Sequence, residues 1–183
     1  MASPSTSDQN SNAKPPVADA FSLLGLKPAF DVDVAALEKA FFERSKELHP
    51  DRFANAPAAE RVVALSRSRA LNDAYQILKK PIARAEYLLV QGGVTIGDNE
   101  RLDPAALMPI LEERELLAEA IQGKRIPEIE KMQTAMQATR ARELELVRDG
   151  FARSDLAAVK SSLILLRYVE RYLEACDAAL DEE

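Results

Sequence analysis

Residues 37–78 read LEKAFFERSKELHPDRFANAPAAERVVALSRSRALNDAYQIL, and this stretch decides the fold. Leu37, Phe41 and Leu48 share one face of a helix spanning about Asp33 to Leu48. The rest of its surface carries Glu38, Lys39, Glu43, Arg44, Lys46 and Glu47. Pro50 ends it, because the residue before a proline avoids the helical region. Asn55-Ala56-Pro57 opens a second helix, in which Ala64, Leu71, Ala74, Tyr75 and Leu78 line one face down to Lys80. Two amphipathic helices joined by a short loop form an antiparallel hairpin. The loop His49-Pro50-Asp51-Arg52-Phe53 sits at its tip, and His49 is the only histidine in the chain.

Working outward, residues 1–16 are mostly Ser, Asn, Asp and Pro. They have too little to bury to offset their ordering entropy, so disorder is expected there. From Val17 to Leu26 a short helix is expected, with Val17, Phe21 and Leu24 at helical spacing and Gly25 as its C-terminal cap. Asp31 or Asp33 caps the helix that follows. On the other side of the hairpin, Pro81 breaks one helix and opens another, in which Ile82, Ala85, Leu88 and Leu89 repeat before Gly92-Gly93. Residues 92–102 read as a linker between a first helical domain, 17–91, and a second, 103–183.

The second domain starts at Asp103-Pro104, an N-cap followed by proline at the first helical position. That helix should reach Gln122 and stop at Gly123. Pro109, inside it, should kink the first turns or delay the start. Pro127 opens the next helix, with Ile129, Met132, Met136, Leu146 and Val147 inward and Gly150 as its stop. Ser154 caps the last helix. There Leu156, Val159, Leu163, Leu166, Val169, Leu173, Cys176 and Leu180 form a seam close to that of a coiled coil. Short loops close the three helices into an antiparallel bundle. A chain that covers this seam with its own neighbouring helices is a monomer, and one that leaves it open is a coiled-coil dimer; the first is expected.

Composition agrees with an all-α fold. The chain has 183 residues, 47% hydrophobic and 30% charged, with six glycines and no tryptophan. Its net charge of −6 argues against a general nucleic-acid binder. The single cysteine, Cys176, has no partner for an internal disulfide and cannot found a Cys-rich zinc site, which fits a reducing compartment. No apolar run reaches eighteen residues, and the N-terminus lacks the pattern of a secretory or mitochondrial leader. A cytoplasmic protein is expected.

The chemistry at the tip has two readings. As a catalyst, His49 would act as general acid or base with Asp51 orienting it. Yet Pro50 separates the two, and neither a nucleophile nor a metal-ligand set accompanies them. As a loop residue, His49 ends a helix whose dipole favours a cation there. The second domain offers a separate signal. Ile110, Leu117 and Ile121 form one stripe on the helix after Pro104, enough for a core. Leu107, Met108 and Leu111 lie beside that stripe, with Glu112 and Glu115 on the same side. These three either pack inside the protein or form a partner site rimmed by charge.

The constellation as a whole resembles the J domain of DnaJ-type co-chaperones. The match runs through Phe21-Ser22-Leu23-Leu24-Gly25-Leu26, the tripeptide His49-Pro50-Asp51, and Leu71-Asn72-Asp73-Ala74-Tyr75-Gln76-Ile77-Leu78 with Pro81 and Arg84 after it. Within that group the chain is similar to the HscB family of iron–sulfur cluster assembly. Arg52-Phe53 follows the tripeptide, Arg84-Ala85-Glu86-Tyr87-Leu88-Leu89 closes the first domain, and Leu107-Met108-Pro109-Ile110-Leu111-Glu112-Glu113-Arg114-Glu115 looks like that family's second-domain segment. The resemblance implies a J domain over 17–91, no enzymatic activity, no cofactor and no zinc. It implies that His49, Pro50, Asp51 and Arg52, with Lys39, Arg44 and Lys46 as a positive surface, contact a DnaK-type ATPase chaperone, HscA. It also implies that Leu107, Met108, Leu111, Glu112, Arg114, Glu115 and Tyr168 bind the scaffold protein IscU. A general protein-folding co-chaperone is the alternative.

Overall fold

The computed structural model describes residues 19–97 and 100–181. The expected disorder over 1–16, a helix start at Val17 and the Asp98-Asn99 part of the linker lie outside them. Among the described residues are seven α-helices and one 3₁₀ turn, and no strand. They are α1 (Ala20–Leu24), α2 (Val34–Glu47), the 3₁₀ turn Pro50–Phe53, α3 (Ala58–Lys79), α4 (Pro81–Gln91), α5 (Pro104–Gln122), α6 (Ile126–Ala152) and α7 (Leu156–Asp181).

The first four helices form around the hairpin. Asp19 caps α1 by accepting the Ser22 amide at 3.0 Å, and Gly25 ends it in the left-handed region at φ 68°. There a glycine avoids the Cβ clash other residues suffer. The Tyr87 hydroxyl donates to Asp19 at 2.8 Å and accepts the Ala20 amide at 2.9 Å, tying α1 to α4. Asp33, not Asp31, caps α2 through the Ala35 and Ala36 amides. Phe21, Leu24, Leu37, Leu71, Ala74, Tyr75 and Leu78 close one core between α1, α2 and α3, and Phe41 stacks on Tyr75 with ring centroids 4.2 Å apart.

Helices α5, α6 and α7 form the antiparallel bundle, with several corrections of detail. Pro109 neither delays nor interrupts α5, which begins at Pro104 and runs unbroken to Gln122. Its missing donor costs one bond, the one the Ala105 carbonyl would accept, while the Asp103 carbonyl before it takes the Ala106 and Leu107 amides. Gly150 does not stop α6. It lies inside the helix, where a Cβ would sit 2.6 Å from the Val159 methyl, so glycine is there to let α7 approach. Ser154 does not cap α7 either. It takes a positive φ of 57° in the turn, and Asp155 caps by accepting the Ala158 amide at 3.0 Å. Leu146 is 44% exposed and Ile121 36%, so neither belongs to the core assigned to it. Much of the α7 seam is covered within one chain: Val159, Leu163, Leu166, Val169 and Cys176 are buried, and Leu156, Leu173 and Leu180 are half-buried.

The two halves share a core. Phe30, Ala85 and Leu89 pack with Val147, Val159, Leu163 and Leu166. Val94 and Ile96 of the expected linker pack on the same cluster. Phe30 stacks on Phe151 at 5.7 Å, while the buried Arg84 lies 5.4 Å over the Phe30 ring and donates to the Leu78 carbonyl at 2.6 Å. Ion pairs Arg148–Asp31, Arg167–Glu86 and Lys160–Glu100 cross the same junction at 2.8, 3.0 and 2.6 Å.

The close approach at Gly150 makes a stability prediction. Alanine is the better helix former, but its Cβ displaces Val159 in a packed core, so Gly150→Ala should destabilise the fold by about 1–3 kcal/mol. With Val159→Ala in the background the clash is gone. The same change should then stabilise by up to about 1 kcal/mol. Urea unfolding of the four proteins reads both signs.

Candidate functional site

The tip of the hairpin is built by its own backbone. His49 is the N-cap of the 3₁₀ turn, and its Nδ1 accepts the Asp51 amide at 3.3 Å. The Arg52 amide donates to the His49 carbonyl at 3.0 Å and the Ala54 amide to that of Asp51 at 3.3 Å. The Asp51 carboxylate also lies 3.5 Å from Nδ1. One nitrogen cannot accept the amide and donate to the carboxylate at once. The amide contact is the better formed, because charge-assisted bonds run to about 2.7–2.9 Å. With its side chain 89% exposed, Asp51 does not orient the imidazole as a catalytic dyad requires. Both side chains face solvent, a geometry for contacting another molecule.

The four cations assigned to the neighbouring surface do not form one face. Lys39 and Lys46, seven residues apart, share the outward stripe of α2. Arg52 is exposed on the tip. Arg44 lies on the flank: its guanidinium is 2.7 Å from where a Cβ on Gly25 would be, folded over the end of α1. Between Lys39 and Lys46 stands Phe42, 60% exposed, which the periodicity argument passed over. Among the described residues none of these cations has a carboxylate within 4.0 Å, whereas Glu38 pairs with Lys79 at 3.4 Å.

On α5 the structure separates two faces. Leu117 and Ala120 turn inward. Met108, 55% exposed, and Leu111, 37% exposed, turn outward beside Glu112 and Glu115. Leu107 is half-buried at the edge of this patch, and the exposed Arg114 continues the stripe of Leu107 and Leu111. Leu116 is also exposed, one turn beyond Glu112. Its spacing from Met108 and Glu112 was the available signal for it. Tyr168 does not join them. It lines a cleft of about 240 Å³ between α5, α6 and α7, opposite Ala106, Pro109, Ile110 and Glu113, residues on the inward flank of α5. Among the described residues no three His, Cys, Asp or Glu side chains converge as a metal site would need, and no helix is long and apolar enough to cross a membrane.

A hairpin tipped by His-Pro-Asp, followed by a helical bundle, is the arrangement of a J-domain co-chaperone with a second helical domain. The comparisons agree. The DnaJ domain model matches residues 19–87, and the model of the HSCB C-terminal oligomerisation domain matches residues 102–177. A co-chaperone protein HscB homologue of Bordetella avium is 36% identical over 157 residues, which are 84% of this chain and 92% of that one. The homologue of Vibrio vulnificus is 46% identical over 105 residues, and there the match spans 61% of the relative's length. The solved structure of chaperone HscB from Vibrio cholerae superposes with a TM-score of 0.83 at 30% identity, covering 90% of this chain and 98% of that one. The chain belongs to the HscB family of J-domain co-chaperones.

In the bundle core under α5 the Tyr172 hydroxyl is buried, with no hydrogen-bond partner among the described residues. Burial first, then the Cys176 thiol and the Glu113 carboxylate, push its pKa up to about 12. The unfolded phenol ionises near 10, so the folded state resists ionisation. Its contribution is complete below about pH 10 and is lost as pH rises towards 12. Tyr172→Phe should therefore raise stability at pH 7 by about 1–3 kcal/mol, the cost of a buried unpaired hydroxyl. It should also flatten the decline above pH 10, followed by denaturant unfolding at stepped pH.

Proposed function

We propose that the chain is a two-sided adaptor in iron–sulfur cluster maturation. The tip His49-Pro50-Asp51-Arg52, with Lys39 and Lys46 on α2, contacts a DnaK-type ATPase chaperone of the HscA kind and stimulates its ATP hydrolysis. The α5 face of Leu107, Met108, Leu111, Glu112, Arg114 and Glu115 binds the scaffold protein IscU, whose cluster is cargo. In this reading 17–91 is the chaperone-facing unit, 92–102 the connection and 103–183 the scaffold-facing unit of a cytoplasmic monomer.

The observation that carries the reading is the exposure of both elements on one folded body. A solvent-facing imidazole, carboxylate and guanidinium held by a short 3₁₀ turn are suited to directed polar contacts across an interface. A Met and a Leu turned outward between carboxylates are suited to an apolar anchor with a charged rim. Tyr168, half-buried in the cleft beside α5, takes part in scaffold binding from the flank of this patch.

The two sides should fail separately. In steady-state ATPase of HscA with IscU, His49→Gln should lower the stimulation about tenfold or more while scaffold binding by calorimetry stays intact. Equal stimulation by the variant rejects the role of the tip. Replacing Leu107, Met108 and Leu111 together by alanine should weaken IscU binding by about 2–4 kcal/mol, read by the same calorimetry. The variant should still stimulate the chaperone alone. A broad set of clients in pull-downs, untouched by the triple change, would instead indicate a general folding co-chaperone.

A further inference from the structure

We infer that a cleft beside the tip is an anchor pocket, filled by an uncharged apolar side chain of the ATPase chaperone. This rests on the reading that the tip meets such a chaperone. The cleft, of about 340 Å³, lies between the 3₁₀ turn and the first turns of α3. Leu48, Phe53, Ala59 and Val63 line it over Ala64, with Glu60 and Arg67 at its rim. Val63 is 49% exposed and its neighbour Val62 more so. Valine is a poor choice for an exposed helix position on propensity alone, because its branched side chain loses rotamer freedom there. Two adjacent exposed valines beside an open apolar cleft mark a contact surface.

The cleft is continuous with the tip. Leu48 immediately precedes His49, and Phe53 ends the turn that contains Asp51. A 3₁₀ turn rises only about 2 Å per residue, so the cleft wall stands within a few ångströms of the polar trio. A specific interface covers roughly 800 Å² per partner, a disc of roughly 16 Å radius. A chaperone seated on His49 and Asp51 over such an area cannot avoid the cleft. The polar tip supplies direction and register, while interface affinity concentrates where an apolar group fills a pocket. Glu60 and Arg67 place one charge of each sign at the rim, which favours a neutral occupant. The tip and the cleft therefore divide the work: the tip stimulates, and the cleft holds.

Titrating the chaperone's ATPase with the full-length chain tests this. Val63→Gln and Ala59→Gln alter exposed residues of α3, and thermal melting followed by circular dichroism checks each fold. Val90→Gln, an exposed valine on α4, is the control. Val63→Gln and Ala59→Gln should each raise the half-saturating concentration about five- to tenfold and leave the stimulation at saturation unchanged. Val90→Gln should leave both unchanged. An unaltered half-saturation for both cleft variants, with the wild type stimulating normally, overturns the anchor pocket and leaves the adaptor reading standing. So does a lower maximum at unchanged half-saturation. A wild type that gives no stimulation overturns both readings together.

Discussion

The contact on which the rest depends is the packing of Phe30 between the two halves of the chain. Phe30 follows α1 by a short loop, yet it leaves the core of α1–α3 and enters the one made with α4, α6 and α7. Arg84 lies over its ring and Phe151 stacks against it. A guanidinium so deep is costly, and burial lowers its pKa while the Asp31 carboxylate acts to raise it. That cost is offset by the short bond to the Leu78 carbonyl at the end of α3. One residue thus holds the α3–α4 corner and the Phe30 ring together. Deleting the ring would leave a cavity at the one place where both halves meet.

The consequence for function is geometric. The tip at His49 belongs to one half and the α5 face to the other. Their relation is set by α4 and α7, whose shared core and flanking ion pairs leave little freedom at the junction. A flexible tether would let the tip and the α5 face move independently, with a separation governed by linker length. A packed junction instead holds the two in one orientation. The charges there add little alone, since exposed ion pairs contribute modestly. The apolar cluster is what resists rearrangement, because packed cores have discrete arrangements rather than a continuum.

Much of this was legible in the residues. The α3 face of Ala64, Leu71, Ala74, Tyr75 and Leu78 is buried throughout, because periodicity reports a face reliably when a long helix has one dominant partner. Caps that rest on backbone conformation were also legible, as at Gly25 and Asp103. Errors arose where a local signal competes with tertiary packing. Gly150 looks like a stop, but its role is to admit Val159 from α7, and nothing local encodes that neighbour. Ile121 and Leu146 are apolar at core spacing but outlie the width of their partners. Linker composition over 92–102 conceals Val94 and Ile96, two apolar residues that dock on the shared core. As for the candidate sites, the tip follows from the break between two helices, whereas the outward turn of Met108 and Leu111 was one of two readings that spacing left open. The separation of Arg44 from Lys39 and Lys46, and of Tyr168 from Met108, depends on which way each helix is rotated.

That rotation also gives the chain two outward surfaces of different composition. On α2 the outward stripe mixes Lys39 and Lys46 with Glu43 around one aromatic residue, Phe42, while on α5 Glu112, Glu115 and Arg114 surround Met108 and Leu111. The core decides which residues face outward, by burying Leu37 on α2 and Leu117 on α5. Each helix therefore presents outward the residues its core leaves free. Changing the buried stripe would turn a different set of side chains to solvent even where no exposed residue is altered.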